Sequence, residues 1–494
     1  MIGGGPAGSA AAQLLSSWGW AVCLVDRRSA RPALAESLPP STRKLLAIVG
    51  QLDAVDRAAF HPCDGTVARW AELDRTTETD APGFHVDRGA FDRVLRGCAA
   101  AAGVSVVDGA ARRVEPGSPA RVIYAASSSD NIVLHASCVL DCSGRAGIVA
   151  RRGFRRARGG YRTLAIAAEW DCAAWPPAER TRTLVESYAD GWAWSVPLSA
   201  TRRQCTVMID GRTEHAGTLG AAYDRELAKT RVVGERLSAS GARRTSEPWA
   251  CDASLYDCVR AADESVLLVG DAASFIEPLS SAGVKKALLS AWRAAIVANT
   301  CLKGSPAAGA ARDFYSRRER EVYADCARRS HAFFAEAAAR YATPFWSVRA
   351  EHFRPAHGDP ARDSADADPD EWSDTALVDD AGVRAAFERL RAPGRVRLRA
   401  ADSLRFEAVP AIEGREVVLR DGVVLRGIAG AVPFAAGVDL PALARLARGG
   451  GEVGALIAAY QEQVGPAPIA GLLAGLSLLV ARDALVAETR GSRF

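Results

Sequence analysis

Ile2-Gly3-Gly4-Gly5-Pro6-Ala7-Gly8-Ser9-Ala10-Ala11-Ala12 is the stretch on which the reading of this 494-residue chain turns. Gly3, Gly5 and Gly8 hold the spacing G-x-G-x-x-G, and the Ala-rich run that follows, through Leu15, reads as helix. The first glycine allows a tight strand-to-helix turn. The second lets backbone approach a pyrophosphate, and the third lets the helix pack closely on a sheet. The helix N-terminus, with Pro6 and Ala7, then turns unpaired N–H groups and a positive dipole end toward phosphates. Ala21-Val22-Cys23-Leu24-Val25-Asp26 is an apolar strand ending in an acid. Asp26 falls about 20 residues after the glycines, where a dinucleotide fold needs a carboxylate for ribose hydroxyls. Asp26 and its neighbour Arg27 join the glycine turn as candidate cofactor contacts. Only Met1 and Ile2 precede Gly3, so the first strand is expected to be stunted or to begin upstream.

The length exceeds what one core supports, and two or three domains are expected. Hydrophobic residues at 49% and charged residues at 24% describe an ordinary globular protein. A net charge of +4 is small for the length and argues neither for nor against nucleic acid, and no nucleic-acid or membrane partner is expected. The 11 cysteines are odd in number and lack paired metal spacing, so reduced thiols in the cytoplasm and no metal site are expected. No signal peptide is visible, and the apolar run Ile469 to Val480 is too short to span a bilayer. Basic charge is almost all arginine, with lysine only at 44, 229, 285, 286 and 303.

Taken in order, Ser41 or Thr42 can cap a helix running to about Ala59, and Phe84 to Leu95 reads as a short strand entering a helix. Val104 to Val107 and Ser137 to Asp141 are buried strands. From Tyr161 the pattern alternates: Leu164–Trp170, Thr183–Tyr188, Gly191–Val196 and Gln204–Ile209 read as an antiparallel sheet. The strand Ser265–Val269 then leads to Gly270-Asp271 at the mouth of a helix. The composition of residues 351–374 is that of a linker. Strands near 396, 404 and 417 and helices near 440, 453 and 469 make a separate C-terminal unit.

Three separated motifs, Gly3 to Gly8 with Asp26, Asp87-Arg88 to Asp92, and Gly270-Asp271-Ala272-Ala273, resemble the glutathione-reductase-type FAD fold of flavoprotein monooxygenases. Within that superfamily the flavin-dependent halogenases are similar in Gly191-Trp192-Ala193-Trp194-Ser195-Val196-Pro197, in Pro278-Leu279-Ser280-Ser281-Ala282-Gly283-Val284 and in Phe345-Trp346-Ser347. The resemblance covers roughly residues 1 to 350. It implies an α/β fold: an FAD-binding domain from 1–160 and 260–350 with an inserted antiparallel sheet at 161–259; separately, the three strands followed by helices at 375–494 resemble a small α+β winged-helix-like module. It implies FAD as cofactor, with Gly270 and Asp271 at the ribityl chain or pyrophosphate and Arg88 on the flavin side. Pro278, Ser281, Gly283 and Val284 would cover the isoalloxazine ring.

The same resemblance implies catalytic roles for Lys44, Ser280, Trp192 and Trp194. Lys44 follows a Glu36-Ser37 segment similar to the one bearing the lysine that handles oxidised halogen in tryptophan halogenases. Those acting on the free amino acid carry a glutamate where this chain has Ser280, which argues against free tryptophan; Glu277 is the nearby carboxylate. Two tryptophans two apart on a strand share one face and also suit a core. The superfamily further includes enzymes that hydroxylate a tryptophan inside a partner polypeptide, and the Glu36 to Lys44 and Leu279 to Gly283 segments are as similar to that branch.

Three readings follow. The first is hydroxylation of an electron-rich aromatic ring, such as a tryptophan in a peptide or protein, by reduced FAD and O2. The second is halogenation of a small or carrier-bound aromatic. The third is an FAD-stabilised scaffold whose C-terminal module binds a partner. No second dinucleotide motif is visible, so a separate flavin reductase is an expected partner.

Overall fold

A computed structural model describes residues 1–27, 32, 34–126, 131–157, 160–172, 175–213, 217–352, 380–391, 396–428 and 430–489. The expected linker at 351–374 thus lies almost wholly outside the described residues. Two compact units divide the chain: residues 1–302 with 312–365, and residues 303–311 with 366–494.

In the first unit a parallel core carries the glycine turn. Strand Cys23–Asp26 pairs in parallel with Ser105–Glu115, and Val266–Leu268 with Val139–Asp141. Ile2 sits between the two pairs, bridging Val25 and Asp141 in parallel. Ile2 thus holds the central strand position between the two pairs and leads directly into the glycine turn. Helix Pro6–Ser17 packs against helix Gly283–Leu302, and Ala10, Ala11, Ala12, Ala291, Ala294 and Ala295 of the two helices are fully buried. Strands Ala120–Ala126 and Asn131–Ala136 extend the other edge as an antiparallel meander.

The second sheet differs from the expected insertion in two ways. It holds nine strands among the described residues and draws on the N-terminal segment, through Ala35–Leu38, His61–Trp70 and Leu73–Asp87, as well as on 163–252. It is also mixed: Arg182–Glu186 runs parallel to Gly65–Arg69, while its other pairings are antiparallel. The two halves consequently share one compact unit, because the hairpin at 61–87 supplies the strands that carry the sheet back toward the dinucleotide half. The expected helix from Ser41 to Ala59 is broken into Ser41–Ile48 and Leu52–Arg57, with Gly50 at φ +73° between them. That left-handed backbone suits glycine and ends a helix.

The C-terminal unit has its own core of Leu398, Leu440, Leu443, Leu472, Leu476 and Leu479. Helices Leu440–Leu446, Val453–Gln463 and Ile469–Ala481 stand where the sequence places them. A three-stranded antiparallel sheet is closed by Leu485–Thr489, a strand the sequence reading did not find. No described helix is long and apolar enough to cross a membrane.

Candidate active site

The glycine turn is shaped by close approaches that a side chain would block. A Cβ at Gly8 would stand 1.9 Å from the Gly3 carbonyl oxygen, and one at Gly3, where φ is +97°, would stand 2.5 Å from the Cys142 carbonyl oxygen. Gly5 is different: an added Cβ would meet only the Arg88 and Asp92 side chains, in ordinary contact at 3.8 Å, on the wall of the space described next. No side chain caps helix Pro6–Ser17, so the N–H groups of its first turn remain available to an anion. Asp26 Oδ1 accepts from Gly4 N at 2.8 Å and its Oδ2 lies 3.2 Å from Arg96, which ties the strand end to the turn. Arg27 is exposed beside it.

A cavity of about 210 Å³ opens beside this turn. Gly5, Pro6, Ala7, Arg88, Asp271, Pro278, Ser281, Gly283 and Val284 line it, together with Trp192 and Trp194. The structure thus brings together residues expected from five separate stretches. Gly3, Gly8 and Gly270 shape the backbone behind the wall without lining it; Gly270 has φ +64° and donates its N–H to Ser290 Oγ at 2.9 Å. Arg88 donates Nε to Asp92 Oδ1 at 3.0 Å and Nη1 to Glu36 Oε1 at 2.5 Å, and Glu36 itself lines the cavity. The two carboxylates leave the guanidinium oriented as well as charged.

The aromatic wall comes from strand Gly191–Pro197. Trp192 and Trp194 stack with ring centroids 4.9 Å apart. Trp192 meets Trp70 edge-on at 6.3 Å, and Trp70 meets Trp346 at 5.4 Å. Trp70 and Trp346 are fully buried, and their indole N–H groups donate to the Phe333 and Tyr188 carbonyls. The two tryptophans of the motif therefore serve core and cavity at once.

Two expected catalytic residues stand elsewhere. Lys44 is exposed on helix Ser41–Ile48 and does not line the cavity, because the helix turns its Thr42, Leu45 and Leu46 face inward. Ser280 also lies outside the lining, its hydroxyl donating back to the Glu277 carbonyl at 3.2 Å within the short turn Pro278–Ser280. Ser281, at φ +48°, takes the cavity face instead.

Glu277, the carboxylate near Ser280, is buried: it is 2% exposed, Oε1 has no hydrogen-bond partner, and burial pushes its carboxyl up to about 7 against the opposing pull of Arg349. Sequence reasoning did not single out Lys286, Thr183 or Val185. Lys286, also buried, reaches Asp271 Oδ1 at 3.4 Å and donates to the Ser274 carbonyl. Thr183 and Val185 line the cavity from one face of their strand. Lysine scarcity could have flagged Lys286, and the period-two alternation could have flagged Thr183.

The family model described as tryptophan halogenase matches residues 58–358, more than half of the chain. The chain belongs to the tryptophan halogenase family. Among family relatives, tryptophan 2-halogenase of Chondromyces crocatus is 28% identical over 369 residues, covering 71% of this chain and 70% of that protein. The 1H-pyrrole-2-carbonyl-[peptidyl-carrier protein] chlorinase of Pseudomonas fluorescens is 29% identical over 335 residues, covering 59% of this chain and 73% of its own. Among solved structures, the peptidyl tryptophan dihydroxylase QhpG, essential for tryptophylquinone cofactor biogenesis, superposes with a TM-score of 0.67 and 27% identity, covering 92% of this chain and 94% of that one. This member of the tryptophan halogenase family is an FAD-dependent oxidoreductase of the glutathione-reductase-type fold. The cleared space at Gly5 and the uncapped helix fit that cofactor's pyrophosphate.

Proposed function

We propose that this chain is an FAD-dependent oxygenase that uses reduced flavin and O2 to hydroxylate an electron-rich aromatic ring, a tryptophan within a peptide or protein. One observation carries the reading: the likeness to the peptidyl tryptophan dihydroxylase runs through 92% of this chain, C-terminal unit included. The cofactor supplies the reactive oxygen, and the protein positions it and excludes water.

The site residues divide the work. Gly3, Gly5, Pro6, Ala7 and Gly8 hold the pyrophosphate, with Asp26 and Arg27 at the adenosine ribose. Gly270 and Asp271 take the ribityl side, and Arg88, steadied by Glu36 and Asp92, takes the flavin side. Pro278, Ser281, Gly283 and Val284 cover the ring. Trp192, Trp194, Val185 and Phe275 form an apolar wall that packs an aromatic substrate and keeps water out. Lys44 and Ser280 have no place in this assignment. The C-terminal unit holds the polypeptide substrate, a separate reductase supplies reduced flavin, and cysteines that form no disulfide among the described residues suit the cytoplasm.

A second reading is favoured by the 29% identity to the carrier-protein pyrrole chlorinase: halogenation of a carrier-bound aromatic. Product mass separates the two. The holoenzyme is supplied with reduced FAD, O2 and either a tryptophan-containing peptide or a carrier-bound aromatic, with and without bromide. Oxygen added to the ring regardless of bromide supports the oxygenase. A bromine-bearing product in the presence of bromide, and none in its absence, supports the halogenase. No product from peptide or carrier-bound substrate under either condition excludes both and leaves the scaffold reading.

A further inference from the structure

His85 and Thr183, 98 residues apart in sequence, form a buried pair in the cavity wall. Thr183 is 4% exposed and lines the cavity with Val185, its neighbour on the same face of the strand. His85 is 1% exposed and stands on the adjoining hairpin, in register with Ser37 on one side and His61 on the other. Its Nδ1 lies 3.0 Å from the Pro62 carbonyl oxygen, and its Nε2 lies 2.9 Å from Thr183 Oγ1.

The direction of these bonds can be worked out. A carbonyl oxygen only accepts, so Nδ1 carries a hydrogen. The ring is neutral, because burial first and then the nearby Arg203 guanidinium and His61 push its pKa down to about 3. A neutral imidazole protonated on Nδ1 has a bare Nε2, which takes the hydroxyl hydrogen of Thr183. Threonine has one such hydrogen. Burial keeps the nearby Cys63 thiol protonated, and its sulfur, 3.2 Å from Ser37 Oγ, is too weak an acceptor to draw that hydrogen away from Nε2. Thr183 Oγ1 can therefore accept from a molecule in the cavity but cannot donate to it.

We propose that Thr183, locked by His85, is a specificity-determining acceptor that selects aromatic rings bearing an N–H or O–H, such as indole, over rings of the same shape without one. The inference rests on the aromatic-oxygenase reading and narrows its substrate class. A donor-bearing ring gains a hydrogen bond at a fixed point of the wall, which orients the carbon presented to the cofactor. A ring lacking the donor leaves a buried oxygen unmatched, and sites built this way discriminate more sharply than apolar ones.

The test is binding of indole and of benzothiophene to the oxidised holoenzyme, followed by the absorbance change of bound flavin. Wild type is expected to bind indole about tenfold more tightly. Thr183→Val is expected to erase the preference and Thr183→Ser to keep it. Equal affinities in wild type, or a preference unchanged in Thr183→Val, overturn the proposal. The wild-type comparison stands alone should the valine variant fail to fold. Failure to oxidise or halogenate any aromatic ring, with the indole preference intact, would overturn the oxygenase reading and not the acceptor.

Discussion

Lys286 Nζ stands 3.4 Å from Asp271 Oδ1, and the lysine side chain is 1% exposed while the aspartate is 33% exposed. The cation thus grips from the protein side a carboxylate whose other face borders the cavity. The lysine offsets the charge of that carboxylate and fixes its direction toward the ribityl side of the cofactor space. Lys286→Met is expected to weaken FAD binding about tenfold, within the range for a hydrogen bond to a charged group. Lys286→Arg should recover part of that. Flavin fluorescence released on dilution measures both, and unchanged affinity in the methionine variant would detach Lys286 from cofactor binding.

The glycine turn gives a sharper prediction. A Cβ at Gly8 meets backbone at 1.9 Å, so Gly8→Ala must displace the turn. Loss of bound flavin is expected, with a drop in thermal midpoint. Gly5→Ala meets no atom nearer than 3.8 Å, so the fold should survive while the methyl intrudes on the cofactor space. Flavin content against melting temperature separates the two variants, and a Gly5→Ala protein holding a full complement of FAD would refute the assignment of that space.

Burial holds the Glu277 carboxyl up to about 7, above the ordinary value of 4.5 it regains on unfolding. Between those values the folded chain keeps a proton that the unfolded chain releases. Stability is therefore lost as pH rises from about 4.5 to about 7, by about 3 kcal/mol if this group alone titrates, and is level beyond. Glu277→Gln removes the dependence. The difference in melting temperature between variant and wild type should shift in the variant's favour from pH 5 to pH 8; a constant difference would contradict the buried assignment.

Lys44→Ala is expected to leave flavin content and turnover unchanged, within twofold. The side chain stands exposed outside the cavity lining. Steady-state rates on the peptide substrate provide the check. A hundredfold loss would restore the catalytic role that the resemblance implies.

Much of the cofactor half was legible in the sequence because its signals are local. Gly3, Gly5 and Gly8 act within a single turn, and the helix and strand around them follow from composition and spacing over a few residues. The Trp192–Trp194 pair and the Pro278 to Val284 segment were legible as motifs for the same reason. The Ser41 helix was extended too far because one left-handed glycine, Gly50, outweighed a favourable pattern.

The dinucleotide turn and the aromatic motif follow from residue type and spacing over a few positions. Which residues share the cavity follows from the pairing of distant strands. Thr183 meets His85 because strand Arg182–Tyr188 pairs in parallel with His61–Trp70, a partner more than a hundred residues away. Glu277 and Lys286 became buried, and Lys44 exposed, through the way their segments pack. Register and burial are set by long-range pairing, in which a shift of one residue turns every side chain to the opposite face, and no local pattern encodes that choice.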